Sequence, residues 1–328
     1  VKKVLFLICA LLTIAVVSGC TSNGTEQEDA FLSFIENVPY KFMAEIPEDT
    51  EDISADIFEF SSPITDIAEV INEANNLSNP PEETEALDDL KAQIEDALAG
   101  IDGEWAVYVK NLETNEYMSI NNHPMYSASL IKLFIMNAVY EKLESGELEK
   151  TNEVASLLNE MITVSDNDAS NRLVEILGGG DFDAGLEVEN DCTSRFEFAD
   201  TKQQCDLQDV RTHPANGRNY TSVNDCGKLL ENICRKNQIS YTASDEMIDL
   251  LCAQQVRYKI PSGVPDDAFV ANKTGEMTGV QNDAAIIYSP NCLYVLCVMS
   301  NELTADDGGY AAIRKIIDIS SITYDYFN

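Results

Sequence analysis

From Glu85 onward the apolar residues fall at regular intervals. Leu87, Leu90, Ile94, Ala97 and Leu98 repeat at helical spacing, while Trp105-Ala106-Val107-Tyr108-Val109 and Tyr117-Met118-Ser119-Ile120 read as two strands joined by a turn over Asn111 to Asn115. Ser129 to Leu143 predicts an apolar helix, and further helices separated by loops continue to about Leu251. Strand patterning returns at Phe269 to Lys273, Ala284 to Tyr288 and Leu293 to Met299, and a last helix is expected from Gly309 to about Ile319. Strands at both ends of a helical middle imply an α+β fold. Its antiparallel sheet is built from both ends of the domain with flanking helices, and an all-helical subdomain is inserted between them.

The first 86 residues read differently. Val1-Lys2-Lys3 precedes an apolar run from Val4 to Val17 broken only by Thr13. As a helix that run spans about 21 Å, short of the ~30 Å hydrocarbon core of a bilayer and suited to an export signal. It ends in Val17-Ser18-Gly19-Cys20, which resembles the lipobox of bacterial lipoproteins. The resemblance implies a signal peptide over 1–19, lipidation of Cys20, and an extracytoplasmic protein tied to the bacterial cell membrane through a lipid anchor. Between Thr21 and Gly100, 21 acidic residues face only Lys41 and Lys91, a net charge of −19. Asn79-Pro80-Pro81-Glu82-Glu83 is a linker signal. Residues 20–86 are therefore expected to form an acidic spacer or small helical module, with a solvated tether favoured, ahead of a single domain over 87–328.

Charge and composition narrow the function further. With 21 basic and 57 acidic residues the chain carries a net −36 and a pI near 4.1. No basic stripe compensates, so nucleic acid is excluded as a partner and anionic lipid surfaces are disfavoured. A 45% hydrophobic content with mean hydropathy −0.16 supplies a sizeable core. Two histidines, and nine cysteines without a Cys-x-x-Cys pair, argue against the usual zinc sites. No metal or cofactor is called for, and a monomer is expected. Export places the seven cysteines beyond Cys9 and Cys20 in an oxidising compartment. Cys226 and Cys234 on one helix lie about 12 Å apart, and Cys292 and Cys297 on one strand about 16 Å; neither pair can close. Cys192 and Cys205, flanking a polar stretch, are the local candidates for a bridge, with buried free thiols as the alternative.

Three short motifs carry chemistry. Ser129-Leu130-Ile131-Lys132 opens the apolar helix, and residues three apart share a helix face, so an amine can reach the hydroxyl. Ser165-Asp166-Asn167 falls between two expected helices, and Lys273-Thr274-Gly275 at a strand end. Taken singly, each has an ordinary reading as a cap, a solvated lysine or a turn. A Ser-His-Asp triad is not favoured, because His123 precedes a proline and His213 sits in a polar loop.

In this order the three motifs resemble the class A β-lactamases and the wider family of penicillin-binding serine hydrolases. The likeness extends to Pro124-Met125, Thr163-Val164, Gly263-Val264-Pro265 and the strand Gln281-Asn282-Asp283-Ala284-Ala285-Ile286-Ile287, and covers close to three quarters of the chain. The resemblance implies that Ser129 is the acylated nucleophile, with Lys132 accepting or relaying its proton. Ser165 would pass a proton to the leaving nitrogen, and Asn167 would bind the side-chain amide of the substrate. Lys273 and Thr274 would hold the substrate carboxylate, Gly275 would let it approach the backbone, and the amides of Ser129 and Glu276 would form the oxyanion hole. The implied substrate is a β-lactam or a cell-wall peptide; a non-catalytic envelope-binding protein is the reading from another class.

Three departures from that pattern stand out. The first two motifs lie closer together than in typical class A enzymes. Gln281 stands where many of them carry an arginine for the substrate carboxylate, leaving Arg257 or Lys259 to compensate. The Glu-x-x-x-Asn that activates the hydrolytic water is missing before Arg218-Asn219-Tyr220. Cys205 to Arg218 offers Asp206 and Asp209 instead, and an ungapped alignment points to Asp206. Slow deacylation is expected, since an aspartate is one methylene shorter.

Overall fold

The computed structural model describes residues 87–207, 218–305 and 309–328. The export signal, Cys20, the acidic spacer, His213 and Asp209 lie outside the described residues. Helix α1 (Asp88–Leu98) buries Leu90 and Ile94 and is followed by Gly100 at positive φ. Strands β1 (Glu104–Asn111) and β2 (Tyr117–Ile120) form the expected antiparallel hairpin, with the Asn111 side chain accepting from the amides of Glu113 and Thr114 to hold the turn. A short β3 (Met125–Tyr126) leads through a 3-10 turn (Ala128–Leu130) into α2 (Ile131–Glu144). Then come α3 (Asn152–Thr163), α4 (Asn167–Leu177), α5 (Phe182–Arg195), β4 (Tyr220–Thr221), α6 (Val223–Cys234) and α7 (Tyr241–Cys252). Strands β5 (Phe269–Met277), β6 (Val280–Tyr288), β7 (Leu293–Asn301) and helix α8 (Tyr310–Phe327) complete the domain.

The five long strands make one sheet in the order β2-β1-β7-β6-β5, every neighbouring pair antiparallel. Alternation along the central strands splits the core in two. On one face Val107, Val109, Leu296 and Val298 pack with Leu90 and Ile94 of α1 and Ile316 and Ile319 of α8. On the other, Ala106, Val295 and Met299 join Phe134, Leu173, Leu229 and Leu230 of the inserted helices. This is the α+β architecture with the inserted helical subdomain that the patterning implied.

Two element ends differ from expectation. Helix α8 continues to Phe327 because Ile322, Tyr326 and Phe327 extend its apolar stripe through a stretch whose serines, threonines and tyrosines obscure the period. Strands β5 and β6 run past the core to a two-residue turn at Thr278-Gly279, where Gly279 takes φ +76°. Lys273-Thr274-Gly275 therefore lies inside a strand rather than at its end. The extension is polar, so it lacks the apolar alternation that marks a strand.

The bridge expected between Cys192 and Cys205 is not formed. Cys192 is buried and accepts from the Asn137 amide, while Cys205 bonds Asn219. Each sulfur is thus held by a polar neighbour of its own. Burial first, then nearby Glu141, drives the Cys192 thiol well above its ordinary range.

Helix α5 also carries a fully buried carboxyl, Glu189. Thr193 donates to one of its oxygens at 3.3 Å, and the other has no partner among the described residues. Burial raises its pKa from 4.5 to about 8. Below pH 4.5 both folded and unfolded chains hold the proton; between 4.5 and about 8 only the folded chain keeps it, so stability falls as pH rises and levels off above 8. Glu189→Gln is expected to flatten this slope and to stabilise the fold by a few kcal/mol at pH 9. Urea unfolding at about pH 5, 7 and 9 measures it, and an unchanged slope in the variant would count against the assignment.

Candidate active site

The segment bearing Ser129 is fixed from three directions. Ser127 donates its amide to Asn219 O at 2.9 Å, and the Asn282 side chain of β6 donates to Tyr126 O and Ser127 O at 2.9 and 3.2 Å. Tyr126 also packs against Tyr220 and under the Arg218 guanidinium. Ala128, immediately before Ser129, takes φ +45°, a conformation that costs energy for a residue with a Cβ and persists only where its surroundings impose it. Ser129 stands in the 3-10 turn at the head of α2, half-buried. The positive end of α2 favours negative charge developing there.

Lys132 follows one turn later, fully buried. Its Nζ donates to Ser165 O at 2.5 Å, to Asn167 Oδ1 at 2.8 Å and to Ser165 Oγ at 3.3 Å. Burial lowers its pKa from 10.5 to about 7, opposed by the Asp166 carboxylate. Near neutral pH a large fraction of this amine is therefore uncharged and able to accept a proton.

Ser165 takes φ +61° in the short link between α3 and α4. The motif divides its labour here. Asp166 caps α4 by accepting the amide of Ala169 at 2.7 Å, the ordinary role of such a residue, while Ser165 and Asn167 face the lysine. From β5, Lys273 donates to Ser165 Oγ at 2.8 Å and to Thr274 O at 2.8 Å. Lys273 is completely buried, and burial together with the Lys132 charge holds its pKa well below the ordinary lysine range. One serine hydroxyl is thus flanked by two amines from different parts of the chain.

Gly275 explains how β5 and the Ser129 turn meet. A Cβ there would lie 2.8 Å from Ser127 O and 3.2 Å from the backbone nitrogens of Ser129 and Leu130, so only a glycine lets β5 close against this turn. The close approach brings the Ser129 amide alongside the strand that carries Glu276. Thr274 is buried, and Glu276 is half-exposed at the end of the polar extension.

Of the two residues weighed as substitutes for the missing arginine, Arg257 donates to Val270 O near the start of β5, away from the motif. Lys259 lies beneath the motif strand, fully buried, donating to Gly275 O and Asn282 O at 3.1 Å each and pairing with Glu276 at 3.5 Å. Burial lowers its pKa, against the opposing charges of Asp283 and Glu276. Asp283, itself buried with its pKa raised to about 6 by burial, accepts from Asn272 at 3.0 Å and from the Ile260 amide at 2.9 Å.

The loop bearing Asp206 is pinned by two asparagines, Asn219 and Asn171, to which the motifs assigned no role. Asn219 accepts the amides of Gln204 and Cys205 at 2.8 and 3.1 Å and donates to Cys205 O at 3.1 Å. Asn171 accepts the Leu207 amide and donates to Leu207 O, both at 2.8 Å. Asp206 is half-buried between these two clamps. Asn171 stands one helical turn beyond Asn167, so its i, i+4 spacing was the available signal.

Fold and motifs together define a domain of the β-lactamase-like fold class. The chain belongs to the β-lactamase enzyme family, whose sequence pattern matches residues 89–156 and 149–327. A curated relative, β-lactamase AST-1 of Nocardia asteroides, is 26% identical over 196 residues, 57% of this chain; the match spans 61% of that relative's length. Among solved structures, PBP-A has a TM-score of 0.65 at 23% identity, covering 76% of this chain and 98% of its own. A β-lactamase from Sphaerobacter thermophilus gives 0.62 at 21%, covering 74% and 99%. A PBP-A L158E variant, solved as an acyl-enzyme complex with penicillin G, gives 0.66 at 22%, covering 76% and 99%. At these identities the structural likeness is one of fold.

Proposed function

We propose that the protein opens β-lactams through an acyl-enzyme on Ser129 and releases the acyl group slowly. The observation that carries this reading is the convergence of Lys132 and Lys273 on Ser165 beside the nucleophile turn. Neutral Lys132 takes the Ser129 proton as Oγ attacks the ring carbonyl. The new C–O bond forms, the oxyanion is held by the amides of Ser129 and Glu276, and the ring C–N bond breaks. The proton reaches the leaving nitrogen through Ser165. Asn167 would meet the side-chain amide, and Thr274 and Gly275 would line the rest of the cleft. No second group leaves, so the adduct adds the whole β-lactam to the protein.

Deacylation needs a base for water, and the Glu-x-x-x-Asn arrangement is missing. Asp206 is our candidate, supported by the two asparagine clamps that fix its backbone. Asp206→Asn is expected to lengthen the adduct lifetime about tenfold or more with its formation rate unchanged, followed by intact-mass spectrometry after penicillin is removed. An unaltered lifetime would assign the water to another group. Nitrocefin turnover beside that mass measurement tests the whole reading: slow turnover with a lasting adduct supports it, and neither signal removes β-lactams from the function.

For the N-terminus we propose a lipid anchor on Cys20, supported by the order of basic start, apolar run, small residues and cysteine. The expressed full chain should partition into detergent, and Cys20→Ser should abolish this. Detergent partition unaffected by Cys20→Ser would refute the anchor.

A further inference from the structure

The end of α3 is closed by a segment far along the chain. A helix leaves its last carbonyls without intrahelical donors. In α3 two of these, Ile162 O and Thr163 O, are taken by residues just beyond α7: the Gln254 side chain donates to Ile162 O at 2.6 Å, and the Gln255 amide donates to Thr163 O at 2.9 Å. Gln254 is buried, and its Oε1 accepts from the Val256 amide at 2.9 Å, so both ends of the side-chain amide are engaged. The same segment is fastened to the motif strand. Val256 O accepts from the Asn272 side chain at 3.4 Å, and Arg257 donates to Val270 O at 3.3 Å. Residues 254–257 thus join the helix end that leads into Ser165 to the strand residues that precede Lys273.

That junction bears directly on Ser165. The serine takes φ +61° just past the helix end, a position where glycine is favoured, and it stays in that conformation only where its flanks are held. The Asp166 amide, bonded to Glu160 O at 3.1 Å, closes the turn from the following residue. Lys132 is a changeable anchor: the charged amine has three N–H donors for Ser165 O, Ser165 Oγ and Asn167 Oδ1, whereas the neutral amine has two. Its grip on Ser165 therefore loosens in the form that accepts a proton. The Gln254 amide does not titrate, and it holds the backbone three residues before Ser165 in either state of Lys132.

Resting on the acyl-transfer reading above, we infer that Gln254 is a positioning residue for Ser165: by fixing the end of α3 against the motif strand it keeps the Ser165 hydroxyl within reach of Lys273 and aimed at the leaving nitrogen. Gln254 acts only through Ser165 and takes no proton itself. Its loss should impair delivery of the proton to the leaving group and spare the attack by Ser129.

The test compares benzylpenicillin, whose leaving nitrogen needs a proton, with p-nitrophenyl phenylacetate, whose ester C–O bond breaks to release p-nitrophenolate, an anion that leaves without one. Adduct formation is followed by intact-mass spectrometry for the first and p-nitrophenolate release for the second, counting only the release lost in Ser129→Ala. Gln254→Met, close in volume, should slow acylation by penicillin about tenfold or more and by the ester about threefold or less, with circular dichroism unchanged. In a Ser165→Ala background the same substitution should change the penicillin rate about twofold or less, because the group it positions is gone. Gln254→Asn, whose amide is drawn back by one methylene, should show the same selectivity more weakly, and it decides the question if Gln254→Met does not fold. Equal slowing of both donors, an unchanged penicillin rate in the folded variant, or a full further loss on top of Ser165→Ala overturns the inference and leaves the acyl-transfer reading standing. Absence of a Ser129 adduct with penicillin in the wild type overturns that reading, and the inference with it.

Discussion

Replacing Ser129 with Ala is expected to remove all covalent capture of β-lactams and to leave the protein folded. Among the described residues the hydroxyl makes no hydrogen bond that the fold uses: the turn bearing Ser129 is held instead by backbone bonds from Ser127 and by the Asn282 side chain. Its loss should cost about 1 kcal/mol or less of stability. Adduct formation, by contrast, should fall below detection, because no other described nucleophile shares the juncture of Lys132, Ser165 and Lys273. The check is intact mass after incubation with penicillin, alongside circular dichroism. Adduct formation persisting in a folded Ser129→Ala protein would assign the chemistry elsewhere.

The second large effect concerns the base. In the proposed mechanism Lys132 accepts a proton only when uncharged, so acylation should rise with pH, reach half its limit near pH 7, and level off above it. Lys132→Ala should lower the plateau by about 10²- to 10⁴-fold and abolish the inflection. Lys273→Ala should also slow acylation, since Ser165 loses the 2.8 Å bond that orients its hydroxyl. Adduct formation rates between about pH 5 and 9 provide the measurement. A profile flat across pH 7 in the wild type, or an inflection surviving in Lys132→Ala, would contradict the role of Lys132.

Much of this arrangement is local in sequence, and that part was legible. The helix-face spacing of Ser129 and Lys132, the capping chemistry around Ser165-Asp166-Asn167 and the glycine of Lys273-Thr274-Gly275 are each short-range patterns. Their convergence is not local: a 33-residue separation joins Lys132 to Ser165 and a 108-residue separation joins Lys273 to Ser165. Only the family resemblance supplied that. The core strands were legible from apolar alternation, whereas the outer part of β5 and β6 was not, because its side chains engage polar partners such as Tyr258, Lys259 and Ser127 O rather than the apolar core.

Long-range polar contacts account for the remaining differences. Nothing in the spacing of Cys192 and Cys205 indicates that Asn137 and Asn219 engage the two sulfurs separately. Burial of Lys259 beneath the motif strand depends on Asp283 and on two carbonyls from β5 and β6, which no local pattern announces. The asparagine clamps on 204–207 likewise pair residues 14 to 36 positions apart. In each case a single polar side chain meets a partner distant in sequence, and such contacts leave no periodic trace.

The central claim is that Ser129 becomes acylated and stays so. Brief exposure of the wild-type protein to benzylpenicillin, followed by proteolysis and tandem mass spectrometry, tests it most directly. The expected result is a mass gain of one intact penicillin located on Ser129, in stoichiometric yield and decaying slowly after the drug is removed. A modification on any other residue, or no modification with nitrocefin left intact, would contradict it.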